Sequence, residues 1–338
     1  MEKIAPGLGA RDQDLMSMQH PVRGLHHVTA TVADAQEDLD FASGVLGLRL
    51  VKRTVNFDNH SVYHFYYGDE TGTPGTIWTT FPYQGRGLPI GQKGLGQLTV
   101  TSFSVPAGSL DFWRNRLVSQ GFSLREPPPR FGEETLAVTD PSGLDIELVA
   151  TERDERVPWT GSGVPANAGV RGLHSVTLHS RTPRLTQTLM TEMLGFHQID
   201  ETAGRVRMGT GGNEAGKLVD ILDSPGAPLA RNGLGTVHHV AFAIGDEDEQ
   251  RRMREALIRQ GLAVTDVLDR CYFHSIYFRE PGGILFEIAT MRPGFTIDED
   301  LGSLGTSLKL PRWEEPNRDQ IEAALRTASP ALRQGGSV

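Results

Sequence analysis

Two runs at opposite ends of the chain, LHHV at 25–28 and VHHV at 237–240, open alternating apolar stretches with adjacent histidines. A third run, ILFEIAT at 284–290, carries one carboxylate, Glu287, between Phe286 and Ile288. Two neutral imidazoles and one carboxylate are the donors of the 2-His-1-carboxylate set, which occupies one face of an octahedral divalent ion and leaves the other face open. An open face of that kind is what dioxygen chemistry needs. Each residue also has a plainer reading, since a strand histidine is ordinarily a hydrogen-bonded polar residue and duplication preserves residues passively. Glu287 resists that reading most, because a carboxylate turned away from apolar neighbours into a cup is costly unless paired or metal-bound.

An internal repeat brings the three residues together. Four βαβββ-like units occupy 24–83, 96–151, 171–224 and 235–291. Each opens with an alternating strand (LHHVTATV, LTVTSFSVP, LHSVTLHS, VHHVAFAI), continues as an amphipathic helix closed by Gly, and turns into further strands. Asp34 is a good N-cap for the first helix, Gly47 a good terminator, and Pro183 suits the first turn of the third helix. Aligned by their turns, the units match Glu287 with Thr80, Glu147 and Asp220, and match His239 with His27, Ser175 and about Val100. Only the first and fourth units supply histidines at that place. Strict alternation turns His27 and His239 to one face and His26 and His238 to the other.

His174 reads as a duplicated histidine without a ligand role, and Glu147 and Asp220, lacking histidine partners, read as vestigial or structural. His60, His64, His179, His197 and His274 have no support from the repeat and read as ordinary polar residues. Cys271 reads as a small buried side chain, with no activating neighbours in sequence.

A unit of this size cannot close its own core. The expected fold is therefore α+β, with four βαβββ modules paired into two incomplete, cupped β-barrels whose concave faces hold the ligand. A stretch rich in charge, Gly and Pro marks a linker at 152–170 between an N-terminal half, 21–151, and a C-terminal half, 171–292. Residues 1–20 read as a flexible leader, and 293–338 as a tail with one helix capped near Asn317.

The 338 residues carry a net charge of −9, with basic and acidic residues interspersed, which argues against a nucleic-acid partner. No apolar run approaches the ~20 residues of a membrane span, and no signal-peptide core opens the chain. The single cysteine excludes an internal disulfide and a thiolate zinc cluster, and fits a cytoplasmic protein. A small molecule is the natural partner.

The motifs GLHHVTA, DFASGVLGLRLVKRTVNFD, YHFYYGDETGTPGTIWTTFP, GTVHHVAF and FREPGGILFEIAT resemble those of the vicinal oxygen chelate superfamily, which includes glyoxalases, bleomycin resistance proteins and extradiol dioxygenases. Within it they resemble the ring-cleaving branch typified by 2,6-dichlorohydroquinone 1,2-dioxygenase, over about 24–295. The resemblance implies Fe(II), with Mn(II) as the alternative ion, on His27, His239 and Glu287. It further implies pocket residues at His26, Thr29, His238, Arg270 and Tyr277, and opening of a hydroquinone ring with O2. Arg270 would stabilise negative charge on oxygen, Tyr277 would hydrogen-bond an oxygen ligand, His238 or His26 would act as acid or base, and Thr29 would contact substrate. Self-association is compatible with this reading. Three alternatives stay open: a glyoxalase-like isomerase or thiol transferase, an extradiol catechol dioxygenase, and a metal-free aromatic-binding protein.

Overall fold

The protein is described from a computed structural model covering residues 21–328, apart from 84 and 203. The leader at 1–20 and the end of the tail lie outside the described residues. Among the described residues, sixteen strands form two eight-stranded sheets. The first contains β1 (Leu25–Val32), β2 (Arg49–Asn56), β3 (Asn59–Gly68), β4 (Ile77–Pro82), β13 (Thr236–Ile244), β14 (Leu268–Asp269), β15 (His274–Arg279) and β16 (Leu285–Thr290). Its order is β14-β15-β16-β13-β1-β4-β3-β2, so it joins the first repeat unit to the fourth.

The second sheet contains β5 (Gln97–Pro106), β6 (Leu124–Arg125), β7 (Glu134–Thr139), β8 (Asp145–Thr151), β9 (Gly172–His179), β10 (His197–Thr202), β11 (Arg205–Gly209) and β12 (Leu218–Leu222). Its order, β10-β11-β12-β9-β5-β8-β7-β6, joins the second unit to the third. The halves 21–151 and 171–292 are thus segments of sequence, each giving one unit to either sheet. The expected α+β fold of four βαβββ modules paired as two cupped barrels is the one observed.

Alternation along β1 buries Val28, Ala30 and Val32 in the shared core and turns His27, Thr29 and Thr31 to the concave face, where they line the cavity. The core crosses between sheets, with Trp78 against Phe103 at 6.0 Å and Phe196 against Phe242 at 5.6 Å between ring centroids. Four helices follow the opening strands. α1 (Ala35–Leu39) starts where Asp34 accepts hydrogen bonds from the backbone of Gln36 and Glu37, continues as a π-helical stretch to Val45, and closes at Gly47. Gly47 has φ 78°, and a Cβ there would come within 2.7 Å of Val164. α2 (Leu110–Ser119) and α3 (Pro183–Glu192, with Pro at its first turn) repeat the pattern. α4 (Glu247–Arg259) buries Met253, Ala256 and Leu257, the 3.6-residue stripe of an amphipathic helix. Gln250 ties α4 to the sheet by donating to the carbonyls of His274 and Ile288.

The ladder between β1 and β13 slips twice: His26 is an extra residue in β1, and His238 an extra residue in β13. The ladder between β5 and β9 slips at the equivalent places, Thr99 and His174. A bulge re-aims the side chain beside it, so the strict alternation expected from sequence fails at the first histidine of each pair.

Register also corrects the place assigned to Thr80. Glu287 lies opposite Ala241 on β13, and the matching residue opposite Thr29 on β4 is Thr79. Thr80, one residue on, faces the other way and donates to Asp38 Oδ2 at 2.5 Å. A shift of one residue along a strand reverses the face.

Past β16 the chain returns against the first sheet, where Phe295 and Leu304 pack with Tyr66, Ile77 and Ala241, and the described residues close with α5 (Arg318–Ala328), whose Ile321 and Leu325 pack on Val55 and Leu310. The fully buried Lys52 on β2 anchors this return, its ammonium bonded to Asp298 and Glu299 at 2.5 Å each. Among the described residues no helix is long and apolar enough to cross a membrane.

Candidate metal centre

Neighbouring strands β1, β13 and β16 bring His27, His239 and Glu287 onto one concave face, all three buried. His27 Nε2 and His239 Nε2 are 3.2 Å apart, and Glu287 Oε2 lies 3.2 Å from the first and 2.9 Å from the second. Ligand bonds of about 2.1 Å at right angles put neighbouring donors about 3 Å apart, so this triangle fits one face of an octahedral ion. Glu287 Oε2 has no hydrogen bond despite full burial. A buried carboxylate oxygen without a hydrogen bond, facing two imidazole nitrogens, has the environment a metal ion would satisfy. Burial works against its charge, but His27 and His239 outweigh that effect and hold the carboxyl well below its usual range. Ser275 Oγ donates to the other oxygen, Oε1, and fixes the carboxylate plane.

The histidine pairs are bonded to one another. His26 Nδ1 lies 2.9 Å from His27 Nδ1, and His238 Nδ1 lies 2.7 Å from His239 Nδ1. His26 Nε2 is 3.2 Å from the carbonyl of Thr290. Burial, followed by the adjacent His27 or His239, lowers His26 and His238 to about 3, so both imidazoles are neutral.

A cavity of about 410 Å³ opens on this face, within the range of small-molecule sites. Of the expected site residues, His27, Thr29, His238, His239, Arg270 and Tyr277 line it. Glu287 lies buried behind the lining, and His26 does not reach it either, although the resemblance had put it near substrate: its bulge places it behind His27, edge-on to Phe273 at 4.9 Å. Tyr277 stands opposite Glu287 on β15, and its hydroxyl accepts from Arg270 Nε at 3.2 Å. Burial and then the Glu287 carboxylate raise the phenol above its ordinary range, so it keeps its proton. Arg270 pairs with Asp58 across the cavity mouth at 3.4 Å, while the acids nearer in sequence are engaged elsewhere, Asp266 with Arg254 and Asp269 with the backbone of Cys271. Burial opposes the charge of Arg270, and Tyr277 and Asp58 more than offset it.

Arg270 and Phe273 reach the cavity from a tight turn in which Cys271 takes φ 65°. The Cys271 thiol is partly exposed, not buried as expected, and burial of its surroundings with nearby Asp269 pushes it up to about 12, which removes it as a nucleophile.

Sequence reading missed His64, Tyr66, Asn56 and Phe81, which also line the cavity. His64 and Tyr66 stand two apart on β3, an alternation visible in YHFYYG, but nothing in the repeat marks them. Burial lowers His64 well below its ordinary range. The equivalent cup of the second sheet holds no histidine pair. Arg205 and Arg207 bond Asp220, Arg130 bonds Glu147, and His174 is 3.1 Å from Glu133, so the structural role expected of Glu147 and Asp220 is the one they occupy.

Comparison with known proteins gives the same picture. The family model of the Glyoxalase/Bleomycin resistance protein/Dioxygenase superfamily matches residues 24–148 and 173–288. MhqE of Bacillus subtilis (strain 168), named as a ring-cleaving dioxygenase, is 45% identical over 302 residues, 89% of this chain and 98% of its own. The chlorohydroquinone/hydroquinone 1,2-dioxygenase of Sphingobium indicum is 35% identical over 323 residues, 93% of this chain and 98% of its own. A crystal structure described as a dioxygenase from Bacillus subtilis superposes with a TM-score of 0.87 at 42% identity, covering 90% of this chain and 97% of that one. Repeat, paired cups, converging donors and relatives along nearly the whole chain agree: this chain belongs to the glyoxalase/bleomycin resistance protein/dioxygenase superfamily.

Proposed function

We propose that the chain is a ring-cleaving dioxygenase that opens a hydroquinone with O2 at Fe(II) held by His27, His239 and Glu287. The observation that carries the reading is the three-donor triangle with 2.9–3.2 Å edges, backed by an orphaned buried carboxylate oxygen and facing a ligand-sized cavity. Bound there, Fe(II) would supply open coordination positions and the one-electron chemistry that lets a closed-shell ring combine with O2.

The chain's own groups supply placement and charge. Arg270, fixed by Tyr277 and Asp58, sets a permanent positive charge at the cavity wall, where it favours the ionised form of a substrate hydroxyl. Tyr277 accepts from Arg270 and retains its own proton to donate to a ligand oxygen. His239 Nδ1–H donating to His238 Nδ1 leaves the His238 proton on Nε2, from which it can donate a hydrogen bond to an oxygen in the cavity. Phe81, Phe273 and Leu285 give the flat apolar walls that orient a ring and exclude water.

An isomerase of the glyoxalase type is less well supported, because the repeat's fourth place is Thr79, whose hydroxyl is engaged with His64 and Thr29, so that place supplies no carboxylate. Anaerobic reconstitution with Fe(II), followed by oxygen-electrode assays over substituted hydroquinones and catechols, tests the proposal. Oxygen uptake with hydroquinones supports it. Uptake with catechols alone moves the reading to extradiol cleavage, and no uptake with either sinks it. Metal analysis of the isolated protein separates both from a metal-free binding protein.

A further inference from the structure

His64 has no part in the metal triangle, yet it is buried on the concave face of β3 and lines the cavity. Its ring is held between Tyr66 at 4.0 Å and Phe81 at 4.3 Å. Its Nε2 lies 2.8 Å from Thr79 Oγ1, and Thr79 Oγ1 donates to Thr29 Oγ1 at 3.0 Å. A hydroxyl has one proton, so with that proton given to Thr29, Thr79 can only accept from His64. The His64 proton is therefore on Nε2, and Nδ1 carries a bare lone pair. Among the described residues no side chain or backbone group is bonded to that Nδ1. The threonine chain thus fixes an acceptor without a protein donor at the edge of the ligand cavity.

The position of this acceptor discriminates between diols. His27 is on β1 and His64 on β3, two strands across the same face with β4 between them, roughly 10 Å from backbone to backbone. A ring bound at the metal triangle through one hydroxyl spans such a gap only with a substituent on its far side. A catechol keeps both hydroxyls together, whereas a hydroquinone puts its second hydroxyl across the ring. We propose that His64 Nδ1 accepts the hydrogen bond of the substrate hydroxyl remote from the metal ligands, and so selects para over ortho diols. This rests on the functional reading above and adds a specificity-determining residue to it.

The test is anaerobic calorimetric titration of the metal-loaded protein with hydroquinone and with 4-fluorophenol, which has nearly the same shape but no second proton to donate. The wild type is expected to prefer hydroquinone roughly tenfold, the weight of one hydrogen bond to a buried acceptor. His64→Phe, which keeps the packing with Tyr66 and Phe81, is expected to bring the two ligands to near parity. His64→Asn, whose Oδ1 falls near the place of Nδ1, is expected to retain part of the preference. A preference that survives undiminished in His64→Phe, or is absent in the wild type while both ligands bind, overturns the assignment and leaves the metal-site reading standing. Failure of the wild type to bind hydroquinone overturns both.

Discussion

The Nδ1 atoms of His26 and His27 lie 2.9 Å apart, and the far nitrogen of His26 faces the Thr290 carbonyl at 3.2 Å. A carbonyl only accepts, so the His26 proton is on Nε2 and its Nδ1 receives the proton of His27 Nδ1. His27 is thereby left with a bare Nε2, the tautomer a metal requires, before any ion arrives. His238 and His239 repeat the contact at 2.7 Å. Removing such a partner ordinarily weakens metal affinity 10–100-fold. His26→Leu is therefore expected to bind a divalent ion about 10–100-fold more weakly in chelator competition; unchanged affinity would show that His26 is only packing.

Glu287 carries the only carboxylate of the triangle, so a variant without its charge should lose the effect of metal on stability. Binding to the folded state alone stabilises by about 2.7 kcal/mol at a hundredfold excess over Kd, which for a chain of this size is a rise in Tm of several degrees. Thermal melting with and without chelator is expected to show that rise in the wild type and none in Glu287→Gln. A metal-dependent rise that persists in the variant would place the ion elsewhere.

The repeat made the four units and the convergence of His27, His239 and Glu287 legible, because each depends on periodicity and turns that local sequence encodes. Which units pair did not follow from the linker at 152–170, since strand pairing between distant units is decided by long-range packing. The role of His26 was hidden for a sharper reason. Its direction is set by a bulge, one extra residue in β1 opposite Ala241, and a bulge is a property of the pairing of two strands. His64 and Tyr66 reach the cavity because the sheet curves β3 over it, which alternation within one strand cannot reveal.

Tyr277 stands opposite Glu287 with its hydroxyl accepting from Arg270 Nε, and under the proposed function it would donate to a ligand oxygen. Loss of a single oriented donor to a developing oxyanion typically costs 10²–10³ in kcat. Tyr277→Phe is expected to lower kcat for oxygen uptake about a hundredfold with a much smaller change in KM, measured by oxygen electrode. A rise in KM with kcat intact would instead make Tyr277 a binding contact.

Asp38 offers a pH test away from His27, His239 and Glu287. It is fully buried under β4, accepts from Tyr67 at 2.7 Å and Thr80 at 2.5 Å, and burial raises it from 3.8 to about 7 despite those bonds. Asp140 and Asp34 add to the rise. The folded state therefore holds a proton that the unfolded chain releases between about pH 4 and pH 7, so stability falls as pH rises through that window and levels off above it. Asp38→Asn removes the titration. Relative to wild type, the variant is expected to gain stability between pH 5 and pH 8, by an amount of order a few kcal/mol, in urea unfolding. Comparing the two proteins at each pH cancels the titration of the other groups, which both share. A difference between them that is flat with pH would mean that Asp38 ionises in the folded protein at its ordinary pKa.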